Sequence, residues 1–474
     1  MVLYRSDQTS YRELKLPSLL HQANIRKADG FSVSEVFQTL LLLFFFQRSL
    51  IPFLKKNVGE NFHSKNTYYR FLENDSFNWT RLLLLLSAKV TSYFQRLCNP
   101  SRCGLFVIDD STIHRNRNKK VNLLARTYDY VTGKYCKGFT LLTLGWTDGF
   151  SFIPVLFNLL SSAKKENRYN EFPDRINHRT NGYKACKESL MQKPDAVILM
   201  LERALEFGVC AQYVLMDAWF TTAPLIQWIC QLGLHVIGMV KQGNQRYCYQ
   251  GKRYSIKQLY SLAVKHQQYS GVVLSSIVVS TTYGTPAKLV FVRHRSSKNR
   301  WLYLLSTDIT LDTGEITRLY GNRWFIECFF KTFKSCLKLG REYQNRKYEV
   351  SVAHTAIVFT RYIILEWIRR KDNDDRTHGE LFRMMCDEVS DMSIEEALAA
   401  LLLLLLDGAK RFGKEYTESI KCKVTYWIET NHRFYGLLEA VSSWESCVIE
   451  YYTEENRSTR EKSRVFIYVQ SSPY

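Results

Sequence analysis

The sequence predicts a mixed α/β fold, one sheet with helices on its faces, preceded and followed by helical regions. Three observations carry this. Two short apolar runs end in carboxylates, LFVIDD (105–110) and AQYVLMD (211–217), as strands buried on both faces do. Between them, CKGFTLLTLGWTDGFSFIPVLFNLL (136–160) reads as two strands turning at TDG. Helix and strand then alternate, which places helices on the faces of a partly parallel sheet.

The elements follow in order. Residues 1–100 read as a helical domain. VSEVFQTLLLLFFFQRSLIPFL and NWTRLLLLLSAKVTSYFQRL are long apolar-periodic stretches, and the polar NVGENFHSKNTYYRFLENDSFN joins them. NPSRCG (99–104) is a turn-rich boundary. The strand at 105–110 and the hairpin come next, then a loop at 164–193 rich in Lys, Arg and Asn. PDAVILMLERALEFG (194–208) is a helix with Pro at its start and Gly at its end. The strand at 211–217 precedes a helix at 222–233 and a strand at 235–241. GKRYSIKQL, VVLSSIVVSTTYG, PAKLVFVRH and RWLYLLSTD make a β-rich insertion over about 242–308. The α/β region thus spans 101–348, and 349–474 is helical again, with YIILEWIRR and SIEEALAALLLLLLD.

The chain has 474 residues, 46% of them hydrophobic, enough to build a large core. Its net charge of +20 favours a polyanionic partner. The N-terminal MVLYRSDQTS is polar and unlike a signal peptide, and the longest apolar runs fall short of a membrane span. Twelve cysteines with no CxxC pair suit reduced thiols in a cytoplasmic protein and argue against a zinc ribbon.

YGNRWFIECFFKTFK (320–334) reads as a single helix, ending near Gly340. Tyr320, Arg323, Glu327 and Lys334 share one stripe, with Lys331, Lys338 and Arg341 on or beside it. Phe325, Ile326, Phe329, Phe333 and Leu337 form an apolar back that belongs to the core, while Tyr320 and Trp324 are better placed to stack on bases. One carboxylate among so many cations calls for a reason. Asp109 or Asp110 closes the first strand and Asp217 closes another. Each alone would ordinarily be a turn former or helix cap. Together with Glu327 they form a set that two Mg²⁺ ions would neutralise, in a two-metal phosphoryl displacement. The neighbouring basic segments, HRNRNKK (Arg115, Arg117, Lys119, Lys120) and that following Glu327 (Lys331, Lys334), would hold phosphates.

Tyr320, Arg323, Glu327 and Lys334, at these spacings, resemble the Y-R-E-K signature of bacterial DDE transposases of the insertion-sequence-four family. IDDST and MDAWF look like that family's first and second Asp motifs, although Trp219 stands where the family often has Gly or Arg. The resemblance covers roughly residues 100–350. It implies a ribonuclease-H-like core and Mg²⁺-dependent cleavage at the ends of a mobile element (Mn²⁺ substituting), with strand transfer into target DNA. The protein would act as a homo-oligomer on double-stranded DNA in the bacterial cytoplasm. It further implies Asp109, Asp217 and Glu327 as metal ligands, and Tyr320, Arg323 and Lys334 at the DNA end. Asp110 also fits the Asp-x-Ser/Thr pattern; Asp109 keeps the commoner apolar-Asp-x-Ser/Thr form. The helices of residues 1–100 would bind the DNA end, and the C-terminal region would serve assembly; its IEEALAALLLLLLD helix is a candidate dimer surface but reads first as ordinary core. A nuclease without strand transfer and a regulatory DNA-binding protein with structural acids are the alternatives.

Overall fold

A computed structural model describes residues 11–371 and 414–430, apart from 28, 44–48, 57–61, 98–102, 173–176, 267–272, 294–300, 336 and 338–345. The chain divides into two compact units, Met1–Cys386 and Asp387–Tyr474.

Among the described residues, the helices ahead of the first strand include α1 (Leu16–Gln22), α2 (Val33–Leu42), α3 (Leu50–Lys56), α4 (Lys65–Leu72) and α5 (Trp79–Leu97). Helix α4 lies inside the segment read as a polar linker. Its Tyr68, Phe71 and Leu72 are buried, a spacing of three and four that makes one apolar face. Four strands follow: β1 (Leu105–His114), β2 (Ala125–Asp129), β3 (Lys134–Thr147) and β4 (Phe152–Leu160). β3 and β4 turn at Asp148–Gly149 as expected; Gly149 has φ 87°, a conformation glycine adopts without strain. The basic loop after β4 contains a helix that the sequence reading missed, α6 (Asn181–Glu188), capped by the Thr180 hydroxyl accepting from the Tyr183 amide. Then come α7 (Lys193–Glu206), β5 (Tyr213–Met216), α8 (Ala223–Gln231) and β6 (His235–Val240).

β1 pairs antiparallel with β3 and parallel with β5, β3 pairs antiparallel with β4, and β5 pairs parallel with β6. The order β4-β3-β1-β5-β6, with only the last three strands parallel, is that of a ribonuclease-H-like core. The insertion does not form a separate sheet. Its β7 (Tyr247–Tyr249), β8 (Lys252–Tyr254), β9 (Val273–Ser280), β10 (Pro286–Arg293) and β11 (Trp301–Ser306) extend the same one beyond β6 in the order β11-β10-β9-β7-β8. GKRYSIKQL is strand only as far as Tyr254; Ile256–His266 is helix α9. Ser255 and Gln258 form a capping box, the Ser255 amide donating to Gln258 Oε1 at 2.9 Å, and that local pairing outweighs the β-like composition.

Two helices replace the single one expected around Glu327: α10 (Thr313–Gly321) and α11 (Trp324–Ser335). At the break the Asn322 and Arg323 amides donate to the carbonyls of Leu319 and Tyr320, a tight three-residue turn beside Gly321. Gly340, Lys338 and Arg341 lie outside the described residues. Helix α12 (Tyr348–Lys371) is buried from Tyr348 to Ile368 except at Val352, as a central helix must be. On it, buried Arg361 donates to the carbonyls of Leu40 at 2.6 Å, Leu41 at 2.9 Å and Leu337 at 3.4 Å. The first two stand at the end of α2, where carbonyls lack helical partners, and the third just follows α11. One guanidinium thus ties both segments to the central helix. In the second unit the described element is helix α13 (Lys414–Thr430). IEEALAALLLLLLD lies outside the described residues, as does part of the apolar run LLLLFFF (40–46). Among the described residues no helix is long and apolar enough to cross a membrane, and eight cysteines are free thiols.

Candidate active site

The parallel pairing of β1 and β5 sets Ile108 across from Met216. Asp109 and Asp217 follow them, so adjacent strands bring two carboxylates together where their parallel pairing stops. Asp217 lies just past the end of β5, but Asp109 does not close the first strand as expected: β1 runs on to His114, held by its antiparallel pairing with β3. Upstream, residues 105–108 are buried on both faces, and the strand first meets solvent at Asp109. Asp109 is strongly desolvated. Burial raises its pKa to about 7; Arg323 and the Asp110 amide oppose the rise, and the negative charges of Asp217 and Asp110 add to it.

Asp217 is held by its own turn. Its Oδ1 accepts from the amides of Trp219 at 2.8 Å and Phe220 at 3.1 Å, and its carbonyl from the Thr221 hydroxyl at 2.7 Å. The turn-forming role that a lone Asp ordinarily plays is therefore realised here, and it also aims the carboxylate. Thr221 packs on Gly238 of β6, where a Cβ would meet Thr221 Oγ1 at 2.3 Å. Only a glycine lets the turn sit so close to the sheet. Thr222 occupies the N-cap of α8 without a side-chain bond.

Glu327 reaches the pair through Arg323. Arg323 Nη1 donates to Asp109 Oδ2 at 2.8 Å, and Nη2 donates to Glu327 Oε1. The break between α10 and α11 keeps Tyr320 on the same side: Tyr320 and Arg323 share a hydrogen bond, and burial pushes the Tyr320 hydroxyl up to about 12. Behind Glu327 the apolar face of α11 is fixed by Phe329, whose ring lies 4.8 Å from Tyr362, 5.3 Å from Phe359 and 5.4 Å from Phe152. Ile326, Phe329, Phe333 and Leu337 are fully buried, whereas Trp324 is 65% exposed.

The structure thus brings Asp109, Asp217, Tyr320, Arg323 and Glu327 together. Asp110 turns away from Arg323. Its Oδ2 accepts from Lys193 Nζ at 3.0 Å, and although burial raises its pKa, Lys193 opposes the rise. Neighbouring strand residues face opposite ways, and each Asp has found its own cation. Lys193 escaped the sequence reading; it stands ahead of Pro194 at the start of α7, with no local pattern to mark it. Its ammonium also lies 4.4 Å from the Trp219 ring.

The cations are less uniform than the stripe suggested. Lys331 and Lys334 are exposed, but Lys334 lies apart from the carboxylates and faces Asp129 at the end of β2; desolvation lowers its pKa and Asp129 opposes this. Arg117, Lys119 and Lys120 are exposed. Arg115 is a correction to the expected phosphate contacts. It is only 8% exposed, and burial lowers its pKa to about 10, so it belongs to the interior.

As to a metal, the donor set is chemically apt. Carboxylate oxygens are the donors that Mg²⁺ prefers. Among the described residues, no three such side chains converge closely enough to hold an ion as they stand, since Arg323 occupies the space between Asp109 and Glu327.

Residues 30–254 match the family model of the DDE superfamily endonuclease, and residues 194–360 match that of the transposase DDE domain. The first match spans Asp109 and Asp217, the second Asp217 and Glu327. Together they support a DDE transposase, an enzyme of nuclease type, and DDE enzymes generally use divalent metal ions. No curated protein matches the chain. Among solved structures, the Drosophila P element transposase strand transfer complex aligns over 95% of this chain and 92% of that chain, with 10% identity and a TM-score of 0.22.

Proposed function

We propose that this chain is a DNA transposase of the insertion-sequence-four kind, which cleaves the ends of a mobile element and joins them to target DNA. The observation that carries this reading is Arg323, which bridges the β1 carboxylate of Asp109 and the helix carboxylate of Glu327, 218 residues apart in sequence, with Asp217 at the end of β5 alongside. Asp109, Asp217 and Glu327 would hold the metal. Two bound Mg²⁺ ions would supply charge at the attacking and leaving oxygens of an in-line displacement. The protein's own contribution is placement. The Asp217 turn and the Phe329 anchor fix two of the carboxylates. Arg323 offsets their repulsion, and Tyr320, Lys331 and Lys334, with Arg117, Lys119 and Lys120, would take phosphates of the bound duplex. Residues 1–100 would recognise the element's end, and assembly on paired ends would make the protein a homo-oligomer.

The test uses the DNA flanking the gene. Duplexes carrying the short inverted repeats expected there are incubated with the protein and Mg²⁺ or Mn²⁺, together with a target plasmid. Cleavage at the repeat and covalent joining to the plasmid support the reading. Cleavage without joining would make the protein a nuclease. Binding without cleavage, unchanged by Asp217→Ala, would make the acids structural.

A further inference from the structure

The hairpin of β2 and β3 projects beyond the core at the edge of the sheet and carries an exposed aromatic cluster. Tyr128 and Tyr135 are directly paired across the strands, their rings 5.1 Å apart and edge to face, and Tyr130 packs against Tyr128 at 5.0 Å. They are 38%, 61% and 69% exposed. Edge-to-face packing fixes the orientation of these partly exposed rings. The cluster is set in positive charge. Arg126 stacks on Tyr135 at 4.0 Å from the ring centre, Lys137 pairs with Arg126 across the strands, and Lys134 opens β3. The carboxylate on this hairpin, Asp129, is tied down: it accepts from the Val131 amide at 3.1 Å and the Thr132 hydroxyl at 2.8 Å, and pairs with His114 at 3.2 Å. These bonds stiffen the turn and leave the net charge of its surface positive. Through Asp129 the hairpin also meets Lys334, two helical turns, about 10 Å, along α11 from Glu327.

We propose that this hairpin binds an unpaired DNA strand next to the scissile phosphate, with bases on Tyr128, Tyr130 and Tyr135 and phosphates on Arg126, Lys134 and Lys137. The inference rests on the transposase reading. Exposed clustered aromatics mark an interaction surface, and the net positive surround selects a polyanion over a protein. A ring face has little to gain from intact duplex, whose bases already stack on each other; an unstacked base takes it at once. The strand that enters the carboxylate site is the one whose bases would be freed.

The experiment compares full-length protein with two triple variants, Tyr128→Ala/Tyr130→Ala/Tyr135→Ala and Tyr128→Phe/Tyr130→Phe/Tyr135→Phe. Fluorescence anisotropy measures affinity for a blunt duplex and for the same duplex with a single-stranded overhang containing a fluorescent base analogue. The Ala variant should bind the overhang duplex about 10-fold or more weaker and lose the stacking quench of the analogue, with affinity for blunt duplex nearly unchanged. The Phe variant, which keeps the ring faces, should behave as wild type. Equal affinity of Ala variant and wild type for the overhang, or equal loss on both duplexes, overturns the proposal. So does loss of a wild-type oligomer in sedimentation with DNA affinity intact, which would make the cluster an interface between copies. Wild type that cleaves element ends while the Ala variant binds the overhang normally sinks this inference alone; wild type that binds neither duplex sinks the transposase reading as well.

Discussion

Arg323 joins Asp109 to Glu327: its Nη1 lies 2.8 Å from Asp109 Oδ2 and its Nη2 holds the Glu327 carboxylate four residues along the chain. This one side chain makes a strand and a helix into one site. It also changes what the cationic stripe is expected to do, because Arg323 is committed to carboxylates while Lys334 stands apart.

Replacing Arg323 should therefore differ from replacing Lys334. Lys334→Ala should weaken specific and non-specific DNA alike and make the salt slope shallower by about one unit, as loss of a phosphate contact does. Arg323→Ala leaves two half-buried acids facing each other. It should lower the melting temperature and abolish cleavage, with a smaller effect on the salt slope. Affinity measured against salt, with melting curves, separates the two; identical behaviour of both variants would refute the distinction.

Asp109→Asn should eliminate cleavage in Mg²⁺, and Asp110→Asn should retain most of it. The second change removes the carboxylate that pairs with Lys193 and should cost about 1.5–3 kcal/mol of stability, the usual range for a hydrogen bond between charged groups. A dead Asp110→Asn with an active Asp109→Asn would move the metal ligand to Asp110.

The raised pKa of Asp109 has a sign that can be checked. A carboxyl with a folded pKa of about 7 against an ordinary 3.8 keeps its proton in the folded state while the unfolded chain has already lost it. Stability should fall as pH rises from about 4 to 7, by up to about 4 kcal/mol. Asp109→Asn should flatten that slope, and so should saturating Mg²⁺ if the site takes the ion. Denaturant melts across this pH range, in chelator and in Mg²⁺, measure both; a wild-type slope unchanged in the variant would rule out Asp109 as its source.

Phe329→Ala should cost about 3–5 kcal/mol, the usual range for emptying a buried aromatic site. Part of the loss should appear in function, since Phe329 anchors the helix that carries Glu327. Cleavage per folded molecule should fall even below the melting temperature, whereas the polar-face variant Lys331→Ala should leave stability nearly unchanged. Equal melting temperatures for Phe329→Ala and wild type would contradict the packing.

Much of this arrangement was legible in the chain itself. The apolar runs ending at Asp109 and Asp217 and the alternation after the hairpin define the central strands, because burial on both faces leaves only apolar residues upstream of the acids. The back of α11, with Ile326, Phe329 and Phe333, was readable as core for the same reason. Local chemistry misled where it competes with periodicity. The stripe through Arg323 continues smoothly as a pattern, yet the chain breaks at Asn322 and Arg323, and the capping box at Ser255 turns a β-like segment into a helix. What only the tertiary structure decided are the pairings between residues far apart in sequence: Arg323 with Asp109, Lys193 with Asp110, Arg361 with the end of α2, and the burial of Arg115. A basic residue reads alike on a surface loop and in the interior. Its partner is set by which strands become neighbours, and that is a property of the whole sheet rather than of any segment within it.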